Sequence, residues 1–337
     1  MSAFLGFGTA LPEHVVDPET SLAVLGRVWP RLRTVATTEA VTRCTVEPLD
    51  RILSPRTLGE TMRSYALHAP RLAEQASARA LATAQVEPRE IDLVISVSCT
   101  GYMVPSLDVH LAARMGLRPD VIRLPLTELG CSGGGAAIAA AHRHLAAHPE
   151  SRVLVVAVEL CSLSFHPEDR SIDNLTAALV FGDGAAATVM SGDRADGLHL
   201  LSAGSRLVPN STSMLGFNLR DSGFQIVLDR RLPRVVEASL AATVADFKAR
   251  HRIEALDFYA VHAGGPRIFD AVQAALRLDD EALSVSRRLF REVGNLSSAS
   301  ILFSLGALPD RPGDGLALAF GPGVTIELAH LHRGPRD

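Results

Sequence analysis

A cysteine followed by three glycines is the strongest chemical feature of this 337-residue chain. Cys131 lies in the stretch 124–144, LPLTELGCSGGGAAIAAAHRH, where an apolar run leads to a tight turn and an alanine-rich helix. A thiol at a helix start lies near unpaired N–H groups and the positive end of the helix dipole, which favour the thiolate. Cys131 is therefore a candidate nucleophile, although a small buried cysteine in a closely packed helix start would give the same pattern.

Three later positions carry weaker chemical signals. His262 ends an apolar run in YAVHAGGP, and strand ends commonly form sites in α/β folds, although a core histidine would look the same. Asn295 in GNLSSAS could serve as a helix cap. The sequence Gly321-Pro322-Gly323 could be a turn before the last strand. None of these three signals identifies a site alone.

Composition excludes several classes of protein. The net charge is -4, and no run of lysine and arginine offers a surface for nucleic acid. We find no uncharged apolar span of about 18 residues or more, so we expect no membrane segment and a cytoplasmic location. The 4 cysteines lack C-x-x-C spacing and the 12 histidines are scattered, so we predict free thiols and no metal site.

The elements that must position these residues fall into two similar halves. Apolar runs at 91–98 and 152–159 predict buried strands, 61–85 predicts a long helix, and 210–223 predicts a polar loop. Another apolar strand is expected within 177–190, after a Gly-Asp-Gly turn. We place the domain boundary between 1–195, which carries the cysteine, and 196–337, which carries the histidine and asparagine.

The spacing of the two halves suggests an internal repeat. Asp92 precedes Cys131 by 39 residues, and Asp257 precedes Asn295 by 38. In both halves a Gly-X pair is followed by small residues and a helix. A repeat of this kind predicts a pseudo-two-fold axis, with Cys131 and Asn295 at equivalent helix starts.

Five motifs together suggest a family. GCSGGGAA, FGDGAAA, VHAGGPRI, GNLSSASILF and FGPGVTIE occur in this order. The set resembles type III polyketide synthases, the chalcone synthase-like branch of the thiolase superfamily, from about residue 91 to 327. The resemblance implies an α/β, thiolase-like duplicated fold with five α-β-α-β-α layers and a homodimer. It also implies acyl-CoA and malonyl-CoA as substrates, with no further cofactor and no metal.

The resemblance also assigns roles to the three candidate residues. It implies that Cys131 carries the acyl chain and that His262 and Asn295 complete the triad. In this arrangement Cys131 is a thiolate paired with His262. His262 and the Asn295 amide would stabilise the enolate formed when malonyl-CoA loses CO₂.

The resemblance places further residues around the substrate. Phe181 matches the gatekeeper phenylalanine, and Ile226 matches the second gatekeeper, with Phe224 as the alternative under a shifted alignment. Phe217 replaces a tyrosine that helps tetrahydroxynaphthalene synthases accept a malonyl starter, which argues against that starter. The other predicted substrate-binding residues are Cys99, Cys161, Ser164, Ser297, Gly321, Pro322 and Gly323. The predicted CoA-phosphate residues are Arg31, Arg33 and Arg43.

The segment 158–170, VELCSLSFHPEDR, is similar to bacterial alkylpyrone and alkylresorcinol synthases. We therefore expect an aliphatic acyl-CoA starter, two or three malonyl-CoA extensions, and a pyrone or resorcinol product. One alternative is a tetrahydroxynaphthalene synthase that uses malonyl-CoA alone. Another is a β-ketoacyl-ACP synthase III-like enzyme, although these typically carry His-Gln-Ala-Asn where this chain has His262-Ala-Gly-Gly.

Two other possibilities fit less well. Thiolases need a second cysteine late in the chain, and no cysteine follows Cys161. A catalytically inactive scaffold would have no reason to keep Cys131, His262 and Asn295 together.

Overall fold

The computed structural model describes residues 1–29, 40–194 and 196–334. The strands in these ranges are β1 (Ser2–Ala10), β2 (His14–Val16), β3 (Arg43–Thr45), β4 (Leu93–Val97), β5 (Ile122–Leu126), β6 (Arg152–Leu160), β7 (Asp183–Ser191), β8 (Leu198–Leu207), β9 (Leu215–Arg220), β10 (Gly223–Leu228), β11 (Phe258–Val261), β12 (Gly313–Gly321) and β13 (Thr325–Arg333). The α-helices are α1 (Pro18–Val28), α2 (Leu49–Ile52), α3 (Leu58–Ala84), α4 (Leu107–Met115), α5 (Gly133–Ala147), α6 (Ile172–Val180), α7 (Leu232–His251), α8 (Pro266–Leu276), α9 (Ser284–Val293) and α10 (Ser300–Gly306).

Nine strands form one mixed sheet in the order β11-β12-β13-β8-β1-β7-β6-β4-β5. The first half of the chain supplies β1 and β4 to β7, and the second half supplies β8 and β11 to β13. The two sets join where β1 pairs antiparallel with β8, from Ser2↔Leu200 to Phe4↔Leu198. Each half therefore contributes its own run of adjacent strands.

Alternate residues of the central strands face two different helical layers. In β6, Val155 belongs to the cluster that contains the helices α5 and α10, whereas Val156 belongs to the cluster that contains α3. In β12, Ala317 faces the same central cluster, and Leu318 faces a third cluster with α7 and α8. The layers are therefore α3 and α4, one sheet portion, α5 and α10, the other sheet portion, and α7 and α8. This confirms the predicted five-layered α/β fold.

The glycine run after Cys131 allows the two central helices to approach each other. A Cβ atom added at Gly134 would collide with the backbone oxygen of Ser298, and one added at Gly133 would lie 2.7 Å from Val97 Cγ1. Any larger residue at these positions would force α5 away from α10 and from the sheet. The small residues thus bring the starts of the two central helices together.

The structure corrects two details of the predicted elements. The strand expected within 177–190 is present as β7, but residues 183 and 184 of the predicted Gly-Asp-Gly turn already belong to this strand, and the residues before the turn end α6. The predicted polar loop 210–223 contains β9, which pairs with β10 in a separate hairpin. Asn218 and Arg220 lie on one face of β9 and are exposed, whereas Leu215 and Phe217 on the other face are partly buried. The polar composition of the segment therefore did not indicate this strand.

The repeat is real in outline, but its register differs from the prediction. A 3₁₀ turn precedes each central helix, Gly130–Ser132 before α5 and Ser297–Ala299 before α10. Each turn begins at a residue with positive φ, +52° at Gly130 and +47° at Ser297. This matches Cys131 to Ser298, so Asn295 lies three residues before the position equivalent to the cysteine.

In the described ranges, no helix is long and apolar enough to cross a membrane. Within the same residues, no group of three or more histidine, cysteine, aspartate or glutamate side chains is placed to hold a metal ion.

Candidate active site

Cys131 lies in the middle of the 3₁₀ turn that leads into α5, and its side chain is buried. Gly130 begins the turn in the left-handed region, where a side chain is unfavourable. A Cβ atom there would also lie 2.5 Å from Cδ of Pro322. The Gly321-Pro322-Gly323 loop therefore packs directly against the turn that carries the cysteine.

His262 follows the last residue of β11, and its backbone N–H donates to the Leu318 carbonyl at 2.9 Å. The ring is 3% exposed, and neither ring nitrogen has a hydrogen-bond partner among the described residues. Buried polar atoms normally find partners, so two unpaired ring nitrogens facing a cavity are a sign of substrate binding. Burial lowers the pKa of His262 to about 4.

Asn295 is fixed by its own turn and by a neighbouring strand. Its Oδ1 accepts a hydrogen bond from the Ser297 backbone N–H at 2.8 Å, which leaves the amide NH₂ as the donor toward the cavity. Its backbone N–H donates to the Val180 carbonyl at 2.7 Å. Asn295 also forms an isolated parallel bridge with Phe181. The predicted gatekeeper and the predicted catalytic amide are thus joined through the backbone.

Burial of Cys131 disfavours the ionised thiolate form of its side chain. Desolvation raises the pKa of Cys131 to about 12, and the hydrogen bond with Ser297, at 3.4 Å between Sγ and Oγ, acts in the opposite direction. Taken separately, the cysteine and His262 would both be neutral. The predicted ion pair therefore depends on direct proton transfer between them, since each charge can then offset the other.

A buried carboxylate lies behind the cysteine, and the sequence prediction did not include it. Glu159 is fully buried and accepts hydrogen bonds from Thr100 Oγ1 at 2.7 Å, the Cys99 N–H at 3.1 Å and the Ser298 hydroxyl. Burial raises the pKa of this carboxyl group. A sequence signal existed, because Glu159 shares the face of β6 with Val155 and therefore points into the central layer.

Two cavities meet at Cys131. The outer cavity contains all three predicted catalytic residues, Cys131, His262 and Asn295. The inner cavity extends from Cys131 toward α1 and α2. The space open to the centre of a water molecule is about 400 Å³ in the outer cavity and about 80 Å³ in the inner one. Phe181 and Leu215 line both cavities, and Leu215 was absent from the sequence prediction.

The structure brings most of the predicted substrate-binding residues to the inner cavity. Its wall includes Cys99, Cys161, Ser164, Phe181, Phe217, Ile226, Ser297 and Pro322. Phe224 is not part of this wall; its ring packs edge-on against Phe217, with centroids 5.9 Å apart. The structure therefore favours Ile226 over Phe224 at the second gatekeeper position. Gly321 and Gly323 shape the loop around Pro322 and do not line either cavity.

The predicted CoA-phosphate residues do not form a site in the described structure. Arg31 and Arg33 lie outside the described residues. Arg43 is only 5% exposed and donates to Ser21 Oγ at 2.7 Å. Its guanidinium lies inside the fold on the wall of the inner cavity and not of the outer one, so we correct its assignment as a CoA-phosphate ligand. Sequence position alone could not show that β3 is an interior strand.

Comparisons with known proteins match the whole chain to one family. The family model for the N-terminal domain of chalcone and stilbene synthases matches residues 54–194, and the model for their C-terminal domain matches residues 199–334. The 1,3,6,8-tetrahydroxynaphthalene synthase of Streptomyces griseus is 37% identical over 334 residues, which cover 95% of this chain and 90% of the relative. The alpha-pyrone synthesis polyketide synthase-like Pks18 of Mycobacterium tuberculosis is 30% identical, with 85% and 77% covered.

Solved structures show the same fold. The crystal structure of the tetrahydroxynaphthalene synthase of Streptomyces coelicolor superimposes with a TM-score of 0.94 at 34% identity, covering 99% of this chain and 100% of the other. A type III pentaketide synthase from Neurospora crassa gives a TM-score of 0.90 at 27% identity, with 98% and 99% covered.

Proposed function

The chain belongs to the chalcone and stilbene synthase family and is a type III polyketide synthase, and we propose that it extends an aliphatic acyl group on Cys131 with malonyl-CoA. The observation that supports this most directly is the shared outer cavity. It places a buried thiol, an unpaired imidazole and an oriented amide around one space.

In the first step, Cys131 attacks the thioester carbon of the starter acyl-CoA. Its proton passes to a ring nitrogen of His262, which has no hydrogen-bond partner among the described residues. The tetrahedral intermediate collapses and expels the CoA thiolate, which takes the proton from His262 and leaves as the thiol. The products are an acyl group on Cys131 and a neutral imidazole.

In the second step, malonyl-CoA occupies the outer cavity and loses CO₂. The electron pair of the broken C–C bond moves onto the thioester oxygen as an enolate, which accepts hydrogen bonds from the His262 N–H and the Asn295 NH₂. Both donors are neutral and fixed in a dry site, so they stabilise charge without protonating the carbanion. Removal of one such donor typically lowers the rate by about 10²–10³-fold.

In the third step, the enolate carbon attacks the acyl carbonyl on Cys131. The C–S bond breaks, and the new β-ketoacyl chain remains on CoA. Transfer of that chain back to Cys131 releases CoA again and allows a further extension. Two or three extensions followed by ring closure give a pyrone or a resorcinol.

The inner cavity supports an aliphatic starter. Its end beyond Cys131 is walled by apolar residues of α1, α2 and their flanks, namely Val24, Leu25, Leu49, Ile52 and Leu53. Phe217 offers no hydroxyl to a malonyl carboxylate. Burial of an alkyl chain against these apolar residues is favourable by about 0.8 kcal/mol per CH₂ group.

The second candidate is a synthase that uses malonyl-CoA as starter and extender, since relatives named tetrahydroxynaphthalene synthases match at 36–37% identity. Incubation with labelled malonyl-CoA, alone and with acyl-CoAs of increasing length, separates the two. We expect products that contain the acyl chain and little product from malonyl-CoA alone. A naphthalene formed efficiently from malonyl-CoA alone would contradict the aliphatic starter.

The mouth of the outer cavity suits the CoA diphosphate. Arg230 and Arg267 line this cavity and are both exposed, and α8 begins beside them at Pro266. Guanidinium groups bind phosphate oxygens through charge-assisted and often bidentate hydrogen bonds. We propose that these two arginines bind the CoA phosphates in place of Arg43.

A homodimer is supported by the free edge of the large sheet. β5 is the last strand in the sheet order, and Ile122 and Leu124 on it are 55% and 38% exposed. Tyr102 and Val104, in the loop that follows β4, are 65% and 79% exposed. Exposed edge strands with apolar side chains favour pairing with another chain, and a second copy of this strand would satisfy β5 symmetrically.

A further inference from the structure

The wall of the inner cavity contains a buried cation that the proposed reaction does not yet use. Arg43 lies on β3, is 5% exposed, and lines the same cavity as Cys131. Burial lowers its pKa only to about 10, so the group remains charged at neutral pH. A buried charge in an apolar wall is unfavourable unless oxygen atoms surround it.

The described residues offer this guanidinium few oxygens. Among the described residues, Arg43 Nη1 donates a hydrogen bond to the Ser21 hydroxyl, which in turn donates to the Asp17 carbonyl. Arg43 interacts electrostatically with the Asp183 carboxylate, but both oxygens of Asp183 accept hydrogen bonds from other donors. They accept from the Ser162 N–H at 2.7 Å, the Ser162 hydroxyl at 2.5 Å and the Val46 N–H at 2.8 Å. A guanidinium has five N–H donors, so it has capacity for a ligand.

The stem of Arg43 lies directly behind the bridge between Phe181 and Asn295. A Cβ atom added at Gly182 would lie 2.9 Å from the Arg43 Cβ, and one added at Gly294 would lie 3.5 Å from it. These two glycines adjoin Phe181 and Asn295 in the chain. The charged head then continues to Ser21 of α1, along the wall of the inner cavity.

We propose that Arg43 binds the keto and enolate oxygens of the growing poly-β-keto chain on Cys131 and thereby sets the number of extensions. The inference rests on the proposed function. A starter alkyl chain has no oxygen beyond its thioester carbonyl, whereas each extension adds a carbonyl at every second carbon. Arg43 therefore has little to bind when the starter loads, and gains partners as the chain lengthens. Charge-assisted hydrogen bonds in this low-dielectric wall favour the longer intermediates.

The test separates loading from extension. Arg43→Met keeps the bulk of the stem without the charge, and Arg43→Lys keeps the charge without the planar fork. Arg56→Met is the matched control, since Arg56 is also a shielded arginine, paired with Glu47 at 2.7 Å, but lies outside the inner cavity. For each protein, intact mass spectrometry measures acylation of Cys131, and chromatography with labelled malonyl-CoA measures the number of units in each product.

We expect Arg43→Met to acylate at the wild-type rate but to release mostly shorter products. The ratio of full-length to truncated product should fall by roughly tenfold, the effect of losing one hydrogen bond to a charged group. Arg43→Lys should fall between Arg43→Met and the wild type, and Arg56→Met should match the wild type. An unchanged product distribution in Arg43→Met, or equal losses of acylation and extension, would overturn the proposal.

If Arg43→Met melts at much lower temperature than the wild type, Ser21→Ala decides the question. It removes the hydroxyl that holds Nη1 and leaves the charge, so truncation should increase and acylation should not change. Wild-type product lengths in a folded Ser21→Ala variant, together with wild-type lengths in Arg43→Lys, would contradict the proposal. Failure of the proposed function is a different result, because the wild-type enzyme itself would then neither acylate Cys131 nor decarboxylate malonyl-CoA.

Discussion

The replacement His262→Ala should reveal how burial alone affects the ionisation and the reactivity of the Cys131 thiol. With a pKa of about 12, about one thiol in 10⁵ is ionised at pH 7. A free cysteine, with a pKa of about 8.5, is ionised to about 3% at this pH. The thiolate of a weaker acid is more nucleophilic, which recovers roughly 30-fold of this 3,000-fold deficit. We therefore expect Cys131 in the variant to react with iodoacetamide about 100-fold more slowly than free cysteine.

The pH profile separates this state from the ion pair. In the wild type, the proton of Cys131 stays within the pair with His262, so alkylation should change little between about pH 6 and pH 9. In His262→Ala, the proton must leave to solvent, so the rate should rise about tenfold per pH unit from pH 7 to pH 10, below the raised pKa. Modification is followed at the peptide that contains Cys131, because Cys99 and Cys161 are also thiols.

The control is Asn295→Ala, which alters the same cavity but removes no proton acceptor. Its alkylation profile should match that of the wild type, whereas its decarboxylation of malonyl-CoA should fall by about 10²–10³-fold. Parallel pH profiles for the wild type and His262→Ala would refute the proton transfer, since both cysteines would then ionise in the same way.

Four further predictions address the turn, helix α1, the serine beside Cys131 and the sheet edge. Gly130→Ala should lower the free energy of unfolding by about 1–3 kcal/mol and prevent acylation, because φ is +52° and the new Cβ would lie 2.5 Å from a proline ring. Gly26→Ala, in α1 with nothing near the added Cβ, should raise the free energy of unfolding by about 0.5–1 kcal/mol in the same urea titration. Ser297→Ala should slow alkylation of Cys131 by roughly tenfold, because the Sγ hydrogen bond is lost. Asn295 should not move, since the Ser297 backbone N–H still holds its Oδ1. An equal loss of malonyl-CoA decarboxylation would contradict this separation of the two effects. Ile122→Glu should shift the protein from dimer to monomer in sedimentation velocity. Leu219→Glu is the control and should not, because Leu219 lies on the separate hairpin and is 65% exposed. A monomeric wild-type protein would contradict the proposed dimer.

The candidate catalytic residues could be proposed from the sequence because His262, Cys131 and Asn295 each lie in a short motif, and the set of five motifs resembles one family. The continuously apolar strands favour an α/β fold, since both faces of such strands must be covered. The five-layered arrangement is what the resemblance implies. The ionisation of Cys131 could not be predicted in this way, because it depends on how much water the completed fold removes from the site.

The sequence analysis did not predict the role of Glu159 or the burial of Arg43, because each depends on how its strand is placed in the fold. Glu159 ends the predicted strand 152–159, and the alternation from Val155 places it on the face that packs in the central layer. Arg43 is predicted to bind CoA phosphate because it follows a basic N-terminal region, and only the position of β3 behind Gly182 and Gly294 shows that it is buried.

The corrected register of the repeat explains why the site needs both halves of the chain. Cys131 and Ser298 occupy matching places in the two 3₁₀ turns, so the same backbone geometry carries a nucleophile in one half and a hydrogen-bond donor in the other. Ser298 donates to the buried Glu159 of the first half, and the adjacent Ser297 contacts the Cys131 sulfur. The second 3₁₀ turn therefore positions groups around Cys131 and carries no thiol of its own. A change in the crossing of α5 and α10 would alter the sulfur environment and the Asn295 amide together, since Ser297 is bonded to both.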